Sequence, residues 1–116
     1  MKNQEENKMP EWKEKFCEEM LRRIFGMCWK EYFIYTPSEE LYRTIMELMG
    51  GLPARSRHAI LGAALCRLDN QLLSLQLGIS EEKVRESIAL GTRMLRHPTR
   101  THRIKLYLAP RDDSEQ

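Results

Sequence analysis

The chain has 116 residues, 41% hydrophobic and 31% charged, with a formal net charge of +2. That length suits one domain with a single modest core, and the balance excludes wholesale disorder. The charge is uneven: residues 1–51 carry 8 Lys/Arg against 10 Asp/Glu, residues 52–111 carry 11 against 4, and residues 112–116 add −3.

No apolar run approaches the roughly 20 residues that span a bilayer. The polar start MKNQEENKMPEWKEK lacks the apolar stretch of a secretion signal. A cytoplasmic location with no membrane partner is therefore expected. The first ten residues or so, and the acidic end, are expected to fray. From Glu11 to Tyr35, Trp12, Phe16, Met20, Ile24 and Cys28 recur every four positions, and Leu21, Phe25 and Trp29 widen the stripe. This is helical periodicity, and such an aromatic-rich stripe is either core or the cover for a partner.

Thr36-Pro37-Ser38-Glu39 reads as a capping box with Thr36 as the cap. The helix it opens should bury Leu41, Ile45 and Leu48 and stop at Gly50-Gly51. Pro53 starts another, turning Ala59, Ile60, Ala63, Ala64 and Leu65 inward. Asp69 caps a short helix from Asn70 to Leu77, ended by Gly78. Ser80 caps the next, from Glu81 to about Arg96, and His97-Pro98 terminates it. A last short helix is expected around Arg103 to Leu108. No stretch alternates with period two, so an all-α fold is expected.

The segment from Asn70 to Arg96 holds two helices joined by a tight turn. A DNA-binding helix-turn-helix needs a small residue in its first helix, a glycine in the turn and an apolar residue early in the second helix. Ser74, Gly78 and Val84 meet these needs in order, with Leu73, Leu77, Ile79 and Ile88 as shared core. A basic second half suits a polyanion, and equally suits a solvated surface.

The runs Leu52-Pro53-Ala54-Arg55-Ser56-Arg57, Leu77-Gly78-Ile79-Ser80 through Val84-Arg85, and Met94-Leu95-Arg96-His97-Pro98-Thr99-Arg100 resemble region 4 of the sigma-70 family. The resemblance spans roughly Leu41 to Leu108. It implies an all-α, sigma region 4-like helix-turn-helix bundle with an additional N-terminal amphipathic helix. It divides the chain into 1–36 (tail and aromatic-rich helix), 37–109 (the helix-turn-helix domain) and 110–116 (acidic tail). It implies a bacterial-type, DNA-binding transcription regulator that contacts double-stranded promoter DNA and the flap of the RNA polymerase beta subunit. Glu81, Glu82, Arg85 and Glu86 match the base-facing positions. Arg55, Arg57, Lys83, Arg93, Arg96 and Arg100 match positions near phosphates.

The chain departs from the family pattern where Glu81 replaces a commonly basic residue and Glu86 a glutamine. Carboxylates accept a hydrogen bond from cytosine but repel phosphate. The promoter-melting region of whole sigma factors has no room in 116 residues, so a separate sigma-like subunit is expected to supply it. The alternatives are a protein-interaction module that binds polymerase or another transcription protein without sequence-specific DNA binding, and a homodimer built through the first helix. Cys17, Cys28 and Cys66 are widely spaced without a CxxC pair and read as small buried hydrophobes. His58, His97 and His102 show no catalytic spacing, with a capping role favoured for His97. No enzyme, metal or cofactor is expected.

Overall fold

The computed structural model describes residues 9–111. The stretch expected to fray at the start and the acidic end lie largely outside them, at 1–8 and 112–116. Among the described residues seven helices and two short strands follow one another: α1 (Glu11–Phe25), α2 (Trp29–Tyr32), β1 (Phe33–Tyr35), α3 (Glu39–Gly50), α4 (Ala54–Ala64), α5 (Asn70–Leu77), α6 (Glu81–Leu95), α7 (Pro98–Lys105) and β2 (Leu108–Pro110).

α1 starts after Pro10, whose carbonyl accepts from the Lys13 and Glu14 amides at 3.0 and 3.2 Å. Glu11 and Glu14 in the first turn and Arg22 and Arg23 in the last match the helix dipole. The apolar stripe holds as far as Ile24. The expected helix to Tyr35 does not: Gly26 adopts φ +104, where no helix continues. After α2, Phe33 to Tyr35 extend into a strand. They pair antiparallel with β2 in the register Phe33↔Pro110, Ile34↔Ala109 and Tyr35↔Leu108. The Arg111 amide extends the ladder to the Tyr32 carbonyl at 2.8 Å. The fold is mostly helical, consistent with the all-α expectation, with one short two-stranded ribbon that the sequence did not announce.

The cap of α3 is Ser38, whose Oγ accepts from the Leu41 amide at 3.1 Å. Thr36 and Pro37 precede it outside the helix, so the cap lies two residues after the expected Thr36. Leu41, Ile45 and Leu48 are buried. On α4, Ala59, Ile60 and Ala64 point inward, while Ala63 is half-buried and Leu65 exposed. Ser56 shares the buried face. The last helix begins at Pro98 rather than near Arg103. His97 caps it, its Nδ1 accepting from the Thr99 amide at 3.3 Å.

One core joins Phe16, Met20 and Leu21 of α1 to Leu41, Ile45 and Met49 of α3, and to Leu95, Ile104 and Leu108. The stripe of α1 thus covers its own domain. Trp12 stays half-exposed, edge-on to Tyr42 with ring centroids 6.0 Å apart. Fully burying one side chain of this size contributes about 1.5–3 kcal/mol, so α1 is integral to the bundle. Of the cysteines, only Cys17 is buried, and burial followed by the Glu39 charge pushes its thiol up to about 12. Cys28 and Cys66 are exposed, contrary to the sequence expectation. Among the described residues no helix is long and apolar enough to cross a membrane.

Candidate nucleic-acid interface

α5, the turn and α6 follow from local chemistry. Asp69 Oδ1 accepts from the Leu72 amide at 2.9 Å and caps α5. Gly78 closes it at φ +69, and the Ile79 amide reaches back to the Ser74 carbonyl at 3.2 Å, a Schellman closure. Ser74 also donates its hydroxyl to the Ile79 carbonyl, so its side chain latches the turn. Ser80 Oγ then accepts from the Lys83 amide at 3.1 Å and opens α6.

α6 buries Val84, Ser87, Gly91 and Leu95 on one side. Leu73 from α5 is buried, while Leu77, Ile79 and Ile88 are half-buried beside it. The close approach lies on α4 rather than at Ser74. A Cβ on Gly91 would stand 2.6 Å from Ile60 Cδ1, and one on Gly62 would stand 2.5 Å from Leu73 Cδ2. α4 is thereby wedged against both helices of the pair. Sequence reasoning missed these contacts, although Ser87 and Gly91, four residues apart, carried the signal of a small-residue face.

The opposite side of α6 is exposed among the described residues: Glu82 and Glu86 lie on it, with Arg85 and Glu81, also exposed, on its flanks. Glu81 and Glu82 occupy the first turn, where acids complement the helix dipole by about 0.3–1 kcal/mol each. That gives the acidic start a structural cause. Arg93 lies exposed in the last turn, and Lys83 makes only a loose 3.9 Å pair with Glu86.

The six residues matched to phosphate positions divide into two groups. Arg55, Lys83 and Arg93 are exposed, with no hydrogen bond to main-chain carbonyls among the described residues. The other three are held by carbonyls: Arg57 Nη1 by Leu52 at 3.2 Å, Arg100 Nη1 by Met94 at 3.1 Å, and Arg96 Nη2 by Arg23 at 2.8 Å. Arg96 therefore pins the end of α6 to the end of α1. There Glu19 bonds both Arg22 and Arg23; burial raises its pKa, but these two guanidiniums outweigh that and hold it below the usual carboxylate range.

The arrangement is that of a mostly helical domain in which two helices, α5 and α6, are joined by a short turn closed at Gly78. Compared with protein-family models, curated proteins and solved structures, the chain matches none.

Proposed function

We propose that the protein is a DNA-binding transcription regulator that resembles sigma factor region 4 and presents α6 to the major groove of promoter DNA. One observation carries this reading: α6 is anchored by Val84, Ser87, Gly91 and Leu95 while its outward side stays open along the helix. A helix of 15 residues rises about 22 Å, enough to cross a major groove about 12 Å wide. Arg85 takes the base-reading position, with Glu82 and Glu86 beside it as acceptors for cytosine amino groups. Arg55, Lys83 and Arg93 supply phosphate contacts, and the three carbonyl-held arginines keep further N–H groups for the same purpose.

Binding to fragmented genomic DNA across a salt series tests the reading. Arg55, Lys83, Arg85 and Arg93, with up to three carbonyl-held arginines added, imply that log K falls with log salt at a slope between about −3 and −6. No measurable binding at low salt would remove it. A second reading, a module that binds RNA polymerase or another transcription protein, draws on α5. Its eight residues carry no charge, and Leu72 and Leu75 on its outer side are 47% and 74% exposed. Recovery of the polymerase beta subunit with the protein, lost in Leu75→Asp, would favour that role. The two readings are compatible, since α5 and the outward side of α6 are separate surfaces.

A further inference from the structure

A second feature lies away from α6. The end of α1, the Gly26–Trp29 turn and the loop after α4 enclose a cleft of about 430 Å³. Lys15, Arg22, Lys30 and Arg67 line it, from three separate segments, against two carboxylates, Glu18 and Glu19. Both acids are already engaged: Glu19 by Arg22 and Arg23, and Glu18 by Lys30 at 3.5 Å. Arg67 has no acidic partner among the described residues. It is held in the left-handed region at φ +59, a conformation uncommon for a residue with a side chain. The loop carrying it is tied back by the Leu68 amide on the Gly62 carbonyl at 3.1 Å. Trp29, almost fully buried, forms one wall, with Lys30 Nζ 5.6 Å from its ring centroid.

We propose that this cleft binds a small phosphate-bearing anion. Four cations line it; Lys15 pairs with Glu11 at 3.2 Å, Arg22 with Glu19 and Lys30 with Glu18, so Arg67 is the one left without a carboxylate among the described residues. A phosphate brings three acceptor oxygens, enough to engage Arg67 and to share the remaining N–H donors of Lys15, Arg22 and Lys30. Arg67 supplies the unengaged planar donor that suits such a group. An adjoining cavity of about 360 Å³ shares Glu18 and Lys30 and is also lined by Tyr35. The Tyr35 hydroxyl is buried without a hydrogen-bond partner among the described residues. That second cavity has room for an organic group attached to the phosphate. The proposal does not depend on DNA binding.

The full chain carrying Trp12→Phe keeps Trp29 as its single indole reporter. Inorganic phosphate, pyrophosphate and a nucleoside triphosphate are titrated against it at matched ionic strength, with chloride as control. A saturable fluorescence change with a dissociation constant below about 1 mM is expected for at least one of them. Arg67→Gln should weaken it about tenfold or more and Arg67→Lys less, both with an unchanged circular dichroism spectrum. Equal affinity for phosphate and nucleotide identifies a free-phosphate site. A nucleotide preference of about tenfold places the organic group in the adjoining cavity. No saturable response to any probe, or an Arg67→Gln titration identical to the parent, overturns the proposal.

Discussion

Gly91→Ala adds a single carbon at the contact between α4 and α6. The new Cβ would stand 2.6 Å from Ile60 Cδ1 and 3.1 Å from Ser56 Cβ. Carbon atoms in contact rest about 3.5–4.0 Å apart, so Cδ1 has to retreat by about 1 Å. Ile60 is fully buried, and Ser56 Cβ, fixed to its backbone, cannot retreat by side-chain rotation. Two effects oppose each other. Alanine in mid-helix is favoured over glycine by about 1 kcal/mol. Overpacking a filled core costs about 1–3 kcal/mol. Packing should win, leaving Gly91→Ala about 1 kcal/mol less stable and lowering Tm by about 4–6 °C.

Ile60→Val removes the clashing Cδ1 and alone should cost about 0.5–1.5 kcal/mol. If the clash is as described, the double variant is more stable than the two losses summed, with a coupling of about 1–2 kcal/mol. Urea unfolding of the four chains followed by circular dichroism measures each value. A stabilised Gly91→Ala, or strictly additive losses, would refute the close approach. The orientation of α6 would then lose its main support.

Three further variants are accessible. Arg96→Ala removes the bonds to the Arg23 carbonyl at 2.8 and 3.3 Å and should lower stability by about 1 kcal/mol. Arg85→Ala, at an exposed position of α6, should stay within about 0.5 kcal/mol of the parent in thermal melts. It should instead weaken binding to a preferred DNA sequence more than to random DNA, and equal loss on both would reduce Arg85 to a backbone contact. Glu19→Gln should cost about 1–2 kcal/mol at neutral pH, because the acid bonds two guanidiniums. A carboxylate held below its ordinary value stabilises the fold above that value and loses the effect as pH falls through the depressed one. The stability gap between Glu19→Gln and the parent should therefore close as pH drops below the ordinary 4.5, and a constant gap would contradict the assignment.

What was legible in the sequence was local. Asp69, Gly78 and Ser80 act within four residues of themselves through their own side chains or backbone, and each stands where its chemistry predicts. Ser38 displaced Thr36 as a cap because two hydroxyl residues compete there and the helix starts after the second. The stripe from Glu11 to Tyr35 misled for a different reason. Phe25, Trp29 and Phe33 keep helical spacing, yet Gly26 ends the helix; Phe25 packs across that break against Phe33 at 5.2 Å, and beyond it Trp29 packs against Tyr35 at 5.4 Å. Three-residue strands leave no alternation to read. Within the candidate interface, the exposure of Glu81, Glu82, Arg85 and Glu86 followed from the burial of Val84. The carbonyl partners of Arg57, Arg96 and Arg100 did not, because nothing in a sequence marks which main-chain oxygen lies within reach of a long side chain.

The β1–β2 ribbon fastens residues 73 to 77 positions apart. Closing so long a loop costs chain entropy that only a nearly complete bundle repays, so the ribbon is a late clasp in folding. It also transmits force: anything pulling on the chain beyond Pro110 tugs first at Phe33 to Tyr35, and through them at the approach to α3. The segment that leads into α3 and the segment that follows α7 are thus mechanically linked.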